Sequence, residues 1–337
     1  MSALRFHGDT IAAPGMLDFA TCLWPGEEPA TLAAELERAL ADRHRYPDDR
    51  EARAAIAARH GRDPDEVLLL NGACEGFWLL AHAFRPRRAA CVHPAFTEPE
   101  VALRAVGAEI VRVACDAEDD WRFEPDRVPA DVDVVVVGNP NNPTGTFSWP
   151  DVLASLARPG RILVLDESFI DFVGEESLSL ASRADVPGLV VIRSMTKVFA
   201  LAGLRAGYLV ASPELVARLE SQRQPWSVNR LACAALAACA RDHVCPRRVA
   251  ADVAAPRAEL RTALSAFEEV RVWPSAANFL LLAVPDGSAV LDGLRDRGIA
   301  VRPAASFPGL NERYIRIAVR PPADNALLLA ALGELVA

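Results

Sequence analysis

The sequence predicts an α/β fold with a second, smaller α+β part, and three observations lead to this prediction. Short apolar runs such as residues 134–137 have no polar face, which is typical of strands in a sheet that helices cover on both sides. Several of these runs end in a polar turn before a helical pattern begins. After Tyr208 the pattern changes to long helical segments and a few separate strands.

Composition narrows the class of protein. A chain of 337 residues with 51% apolar and 24% charged residues is typical of a globular enzyme of two domains. The net charge of -9 argues against a nucleic-acid or membrane partner. Seven cysteines without a Cys-x-x-Cys pair indicate reduced thiols and no metal site. Because no signal segment or membrane-length apolar run is present, we expect a cytoplasmic protein.

The first part of the chain predicts an arm and two helices. Residues 1–30 are rich in Gly, Pro and Thr, and His7 within them is by default a solvated residue. Helical spacing follows at 31–40 and 50–60, and the turn between these helices carries Tyr46.

The predicted large sheet has six strands. These are residues 67–70, 89–93, 109–113, 133–138, 161–165 and 189–192. The glycine turn after the first strand feeds a helix whose N-terminal N–H groups, at Ala73 and Cys74, suit a phosphate, although a strand–turn–helix needs glycine anyway. Phe96, just past the second strand, could stack on a planar ring or be plain core.

Polar groups follow two of the later strands. The turn 139–145 (Asn-Pro-Asn-Asn-Pro-Thr-Gly) directs amides from the carboxyl end of a strand, where open α/β sheets bind ligands. Asp166 comes directly after a buried strand, where a carboxylate is costly unless it meets a cation or a donor. A protonated pyridine nitrogen is one such partner, and a helix N-cap role is the alternative.

Lys197 is the only lysine in the chain, and every other residue of the Lys and Arg total is an arginine. A desolvated lysine can lose its proton and form a Schiff base, whereas a guanidinium cannot. Ser194, Thr196 and Arg205 around it suit a phosphate dianion. An amine beside a phosphate site suggests pyridoxal 5'-phosphate, and the alternative is a leftover surface lysine.

The remaining chain predicts a smaller domain. Helices are expected at 213–222, 227–243, 247–267 and from 322 or 323 to 335, and strands at 278–283, 299–302 and 313–319. We place an N-terminal arm that packs on the small domain and the active site at 1–30, a large cofactor-binding domain at 31–223 and the small C-terminal domain at 224–337.

Three motifs in this order resemble one superfamily. The turn 139–145, the run Asp-Glu-Ser-Phe at 166–169, and Ser-Met-Thr-Lys at 194–197 with Arg205 resemble the fold-type I, aspartate-aminotransferase-like enzymes that depend on pyridoxal 5'-phosphate. The resemblance implies a large domain with a mostly parallel mixed sheet plus a smaller α+β domain. It also implies a homodimer with shared active sites.

The resemblance also implies a role for each matching residue. Lys197 would bind the cofactor covalently and later move a proton at the substrate carbon, and Asp166 would pair with the pyridinium nitrogen. The other implied contacts are Asn142 on the 3'-oxygen, Phe96 on the ring face, the N–H groups of Ala73 and Cys74 with Ser194, Thr196 and Arg205 on the phosphate, and Tyr46 on the phosphate of the neighbouring subunit.

Within the superfamily, the segments 7–9, 17–19, 225–229 and 299–320 resemble threonine-phosphate decarboxylases of cobalamin synthesis. Histidinol-phosphate aminotransferases would more often carry Gly near 320 and Tyr at 169, where this chain has Arg320 and Phe169. Arg302 and Arg316 can each hold a carboxylate or phosphate through a bidentate fork, and His7 could complete the phosphate pocket. Ordinary surface pairing is the alternative for both arginines.

The sequence therefore favours decarboxylation of O-phospho-L-threonine to 1-aminopropan-2-yl phosphate. An aminotransferase acting on histidinol phosphate or a related amino acid is the alternative, and a catalytically silent protein that binds pyridoxal 5'-phosphate is a third possibility. The chain departs from the family at 20–25 (Ala-Thr-Cys-Leu-Trp-Pro), where two amides are lost and Trp24 is expected to change the wall of the substrate pocket.

Overall fold

A computed structural model describes residues 3–26 and 29–336. The strands are β1 (Leu17–Asp18), β2 (Val67–Asn71), β3 (Arg88–His93), β4 (Glu109–Ala114), β5 (Val134–Gly138), β6 (Ile162–Asp166), β7 (Leu189–Ser194), β8 (Ala206–Ala211), β9 (Arg271–Val272), β10 (Phe279–Ala283), β11 (Ile299–Ala300), β12 (Arg302–Pro303) and β13 (Tyr314–Ala318). The α-helices are α1 (Ala30–Ala41), α2 (Arg50–His60), α3 (Ala73–Phe84), α4 (Glu98–Ala105), α5 (Pro150–Ala154), α6 (Pro213–Glu220), α7 (Arg230–Arg241), α8 (Val244–Leu264), α9 (Gly287–Asp296) and α10 (Pro322–Leu335).

The large sheet confirms the predicted α/β class. Its strand order is β2-β8-β7-β6-β5-β3-β4, and β4, β3, β5, β6 and β7 run parallel while β8 is antiparallel to both of its neighbours. One apolar core lies on each face of this sheet. Parallel strands bring their carboxyl ends to one edge, so His93, Gly138, Asp166 and Ser194 end neighbouring strands at the same edge.

The small sheet is antiparallel, with the order β12-β13-β10-β9. Its register places Arg302 directly opposite Arg316, although like charges in such a pair repel each other. This juxtaposition requires an anion or strong acceptors nearby.

The N-terminal residues tie both parts of the molecule together. β1 pairs in parallel with β11, and the carbonyl of Phe6 accepts a hydrogen bond from Arg302. The carbonyl of Leu4 accepts one from Thr97, which precedes α4. The predicted domain boundary near residue 224 stays a prediction.

The sequence analysis missed the short elements β1, α5 and β9 and two longer ones, β8 and α9. β8 is a fully buried strand that was not predicted, because Gly207 interrupts the apolar run; a Cβ there would lie 2.7 Å from the nitrogen of Ala73. α9 was not predicted because its glycines lower helix propensity. Gly287 is needed there, since a Cβ would overlap the carbonyl of Glu312.

None of the helices within the described ranges has both the length and the apolar character needed to cross a bilayer.

Candidate active site

The predicted site residues come together in one place. A cavity of about 590 Å³ opens at the carboxyl edge of the large sheet. It is lined by every residue predicted for the site except Tyr46: His7, Ala73, Cys74, Phe96, Asn142, Asp166, Ser194, Thr196, Lys197, Arg205, Arg302 and Arg316. The large sheet, the N-terminal arm and the small antiparallel sheet all contribute to its walls.

The start of α3 forms one end of the cavity. Gly72 has a φ of +78°, and a Cβ at this position would overlap the guanidinium of Arg205. A glycine is thus required for Arg205 to lie against the N-terminal turn of α3. Thr196 donates its backbone N–H to the hydroxyl of Ser194 at 3.3 Å, which folds this loop over the same end. N–H groups, hydroxyls and a guanidinium converge there, as a phosphate dianion requires.

Lys197 follows β7 and lies deep in the cavity. Burial lowers the pKa of its ammonium group, and the nearby charges of Arg316 and Arg205 lower it further. Cys22 and Asp166 act in the opposite direction without cancelling the effect. A lowered pKa increases the fraction of free amine, which is the nucleophilic form.

Asp166 ends β6 with its carboxylate in the same cavity. Burial raises its pKa, although the hydroxyl of Ser168 at 2.5 Å and the backbone N–H of Ser168 at 3.1 Å both donate to Oδ1. The raised pKa means that these two donors and the charge of Lys197 do not fully compensate the buried charge. A cationic ligand group next to the carboxylate would do so.

Asn142 and Arg316 meet across the cavity. Arg316 donates from Nη1 to Oδ1 of Asn142 at 2.5 Å and from Nη2 to the carbonyl of Ala20 at 2.7 Å, while its buried Nε has no partner within the described chain. This orientation leaves the Nδ2 group of Asn142 available as a donor.

Arg302 is almost fully buried, at 2% exposed. Its guanidinium donates to the carbonyls of Pro303 and Phe6 and to the hydroxyl of Ser306, and it lies between the rings of Phe6 and Phe307. Burial, followed by repulsion from Arg316, lowers its pKa to about 9. Surface pairing, the alternative from sequence, is therefore wrong for Arg302.

His7 is partly exposed, with 36% of its side chain accessible, but it is also held by the cavity wall. Its Nε2 lies 3.0 Å from Oε1 of Glu98, a buried carboxylate that also accepts from the indole N–H of Trp78 at 3.3 Å. Its ring is 5.6 Å from that of Phe96. The sequence analysis did not identify Glu98 as a lining residue, because a Glu at the start of a helix is an ordinary feature of helices.

Tyr46 lies away from the cavity. It is 73% exposed and stacks on Trp226, which is 61% exposed, with ring centroids 4.6 Å apart. The contact predicted for Tyr46 was with a neighbouring subunit, so that contact stays a prediction.

The unusual segment at 20–25 corrects one expectation. Thr21, Cys22 and Leu23 line the cavity, whereas the side chain of Trp24 is buried in the apolar core. Trp24 therefore supports the wall from behind, and its backbone N–H lies 3.5 Å from the carbonyl of Lys197. This wall is thus formed by Thr21, whose hydroxyl donates to Asp18, by the buried Cys22 and by the aliphatic Leu23, in place of two amides.

Phe169 and Arg320, the two positions at which the sequence departs from histidinol-phosphate aminotransferases, lie in different places. Phe169 lines the cavity, with its ring centroid 5.8 Å from Nζ of Lys197 and packed edge-on against Phe279. Arg320 does not line the cavity; it lies near the carbonyl of Leu23 and near Asp324.

The residues present fit pyridoxal 5'-phosphate on structural grounds. The Gly72–Arg205 contact forms a cradle that a Cβ would fill, the buried amine of Lys197 has a lowered pKa, and the buried carboxylate of Asp166 forms no ion pair within residues 3–26 and 29–336. A phosphate, an aldehyde and a pyridinium nitrogen complement these three features in turn.

Comparisons with known proteins agree with this geometry. The sequence profile described as aminotransferase class I and II matches residues 17–332. A histidinol-phosphate aminotransferase of Mycobacterium bovis is 44% identical over 99% of this chain and 91% of its own length. A threonine-phosphate decarboxylase of Salmonella typhimurium is 34% identical over 97% of this chain and 93% of its own length. The crystal structure of a histidinol-phosphate aminotransferase from Clostridium acetobutylicum superposes with a TM-score of 0.88 at 25% identity, covering 95% of this chain and 98% of the other.

Proposed function

This chain belongs to the class I and II aminotransferase family, whose enzymes depend on pyridoxal 5'-phosphate, and on that premise we propose that it transfers the amino group of a phosphorylated substrate. The favoured substrate is histidinol phosphate or a related amino compound, because the relative of 44% identity carries that activity in its name. This reverses the order of the two activities that the sequence motifs suggested.

One observation supports an anionic substrate above all. Arg302 and Arg316 are both buried, face the same cavity as Lys197, and form no ion pair with any carboxylate in the part of the chain that the structure describes. Two buried guanidiniums without a counter-ion are costly unless an anion binds. A phosphate or carboxylate of the substrate is the anion that we propose.

Each residue then has a task in the reaction. When bound, the cofactor withdraws electrons from the substrate carbon next to the amino group. Lys197 holds and moves the proton at that carbon, and Asp166 keeps the ring nitrogen protonated. Arg316 orients the substrate through the bidentate fork of its guanidinium. Asn142 is held by Arg316 with its Nδ2 group free to donate to the 3'-oxygen.

Decarboxylation of O-phospho-L-threonine is the second candidate. The relative of 34% identity carries that activity in its name, and this chain has Phe169 where a phenol is more usual in the aminotransferases. The two reactions differ in which group of the substrate would be free to leave. If the arginines held the phosphate of O-phospho-L-threonine, its carboxylate would be free to leave as CO2. Histidinol phosphate has no carboxylate, so with its phosphate held in the same way the proton next to the amino group would be the group that Lys197 removes.

The deciding experiment uses the purified protein loaded with pyridoxal 5'-phosphate. Histidinol phosphate with 2-oxoglutarate is assayed for glutamate, and O-phosphothreonine alone is assayed for CO2. We expect glutamate to form at least about tenfold faster than CO2, which corresponds to about 1.4 kcal/mol in barrier height. CO2 release in excess of glutamate would replace the first candidate by the second. Absence of both products with a correctly bound cofactor would favour the catalytically silent alternative.

We expect Arg316→Met to raise the KM for a phosphorylated substrate by about 10²-fold, because truncating a buried charged donor costs about 2–5 kcal/mol. Arg320→Met is the matched control, since Arg320 comes from the same part of the chain but does not line the cavity. Steady-state kinetics of both variants checks this expectation. Equal losses in the two variants would remove Arg316 from the anion site.

The phenyl ring of Phe169 leads to a spectroscopic prediction. Because Phe169 offers no hydroxyl to the 3'-oxygen of the cofactor, the lysine-bound form of the cofactor should have a higher pKa in the wild type than in Phe169→Tyr, by about one unit. A pH titration of the visible absorbance measures both values. Coincident curves would show that this position does not tune the cofactor.

We propose in addition a cytoplasmic homodimer in which Tyr46 contacts the cofactor phosphate of the neighbouring subunit. The exposed stack of Tyr46 on Trp226 supports this proposal, because exposed aromatic pairs are typical of interfaces. Sedimentation of the loaded protein tests the dimer. Cofactor affinity of Tyr46→Phe tests the contact.

A further inference from the structure

Three residues at the edge of the large sheet lie in one row. β5 and β6 pair with Gly138 opposite Asp166, and β3 and β5 pair with Cys91 opposite Val136. Continuing the second register by two residues places His93 level with Gly138. In parallel strands, residues in one row direct their side chains to the same face. His93 and Asp166 therefore flank Gly138 on one face of the sheet, about 10 Å apart at Cα.

The central residue of this row leaves a slot because it has no side chain. A small cavity of about 20 Å³ is lined by His93, Gly138 and Asp166, together with Glu100 and Asn141. This volume suffices for a single water molecule, and the lining supplies the polar partners that a buried water needs. The φ of Gly138 is not positive, so its backbone does not by itself require glycine.

The imidazole of His93 has one nitrogen engaged and one without a partner. Its Nε2 lies 2.8 Å from Oε2 of Glu100. Burial alone would raise the pKa of Glu100, but hydrogen bonds from His93, Arg112 and Arg104 outweigh burial and lower it, so Glu100 is a carboxylate and Nε2 is the donor. His93 is 3% exposed, and its Nδ1 is buried with no partner within the described chain.

We infer that the slot beside Gly138 binds one water molecule that joins Nδ1 of His93 to the carboxylate of Asp166. With Nε2 protonated, Nδ1 of the neutral ring accepts one hydrogen of the water, and the other hydrogen is donated to Asp166. No proton is transferred in this arrangement, so the charges of His93 and Asp166 stay the same. The chain of contacts then runs from Arg104 and Arg112 through Glu100 and His93 to Asp166.

This arrangement makes His93 a positioning residue for Asp166. A hydrogen bond to a carboxylate favours its ionised form, which offsets part of the burial that acts on Asp166. The inference rests on the proposed pairing of Asp166 with the ring nitrogen of the cofactor. The charged groups around the row are Glu100, Arg104 and Arg112 behind His93 and Lys197 in front of Asp166.

Two matched substitutions distinguish the roles of the two ring nitrogens of His93. The amide of His93→Asn occupies the position of Nδ1, whereas the amide of His93→Gln reaches the position of Nε2 and its bond to Glu100. For each holoenzyme we would measure the dissociation constant of pyridoxal 5'-phosphate and the pH at which the visible absorbance changes. We expect His93→Gln to weaken cofactor binding about tenfold and to shift that pH by about one unit, and His93→Asn to stay within about threefold of the wild type.

The opposite ranking would overturn the inference, since it would show that only the contact with Glu100 matters. Equal values for wild type and both variants would also overturn it. If the wild type itself fails to bind pyridoxal 5'-phosphate, the proposed function fails first, and the two failures are thus distinguishable.

Gly138→Ala provides a test that leaves His93 unchanged. The added Cβ would fill the slot and lie 3.0 Å from Oδ1 of Asn141. The Nδ2 group of Asn141 donates to the carbonyl of Pro94 and to the hydroxyl of Thr144, so its amide would have to shift by a few tenths of an ångström, and a thermal unfolding curve checks that the variant folds. A crystal structure of the loaded wild type should show a water within hydrogen-bond distance of His93 Nδ1 and Asp166. Gly138→Ala should lack that water and show the cofactor affinity of His93→Gln. A wild-type slot without a water would refute the inference.

Discussion

Replacing Lys197 by alanine is expected to abolish covalent attachment of the cofactor and to reduce amino-group transfer by about 10⁴-fold, because one residue is both anchor and proton carrier. The chain offers an unusually clean measurement. Since Lys197 is the only lysine, borohydride reduction of the loaded protein should fix one cofactor mass to one side chain. Intact-mass spectrometry of the wild type and of Lys197→Ala measures the added mass of the cofactor.

The matched control is Lys197→Arg, which keeps a cation in the cavity but offers no nucleophile. We expect the same loss of attachment as in Lys197→Ala, so that the amine and not the positive charge is identified as the requirement. Cofactor mass recovered on reduced Lys197→Ala would place the anchor elsewhere and contradict the proposed site.

Asp166→Asn is expected to lower the rate of amino-group transfer by about 10³-fold, because the amide cannot stabilise a protonated ring nitrogen. Asparagine has the shape of aspartate and keeps an oxygen for the two donors of Ser168. The loss therefore comes from charge and not from packing. Single-turnover kinetics at saturating cofactor separates the chemical step from weaker cofactor binding.

The same variant should make the cofactor-free protein more stable. Burial raises the pKa of Asp166 in the folded state, so its ionisation costs stability. That cost is absent below the ordinary pKa of an aspartate, grows as pH rises, and is complete above the raised pKa. The Tm of Asp166→Asn should thus exceed that of the wild type increasingly with pH across this window. A constant or negative difference in Tm would show that the carboxylate is not destabilised in the empty site.

Much of the site could be predicted from sequence because its members follow local signals. A carboxylate after an apolar strand, an amide-rich turn after another, and a lone lysine after a third must meet at one edge if the strands are parallel. The helices α1, α2 and α10 were likewise expected within a residue or two of their observed bounds, because their apolar spacing is regular.

The features that escaped prediction depend on register between distant strands. The pairing of His7 with Glu98, the position of Trp24 behind the cavity wall, and β8 as a buried strand each join segments whose own sequences do not specify the partner. The row of His93, Gly138 and Asp166 is of the same kind, since one residue of slip would turn a side chain to the other face.

The sequence by itself determined the fold class, the chemistry of the anchor and most of the residues that line the cavity, because these follow from periodicity and from residue types at strand ends. Tertiary structure alone decided that Arg302 and Arg316 stand opposite each other with no carboxylate paired to them among the described residues, and that His93 and Asp166 flank a glycine on one face of the sheet. Local patterns specify which element forms, whereas strand register and burial specify which side chains face one another.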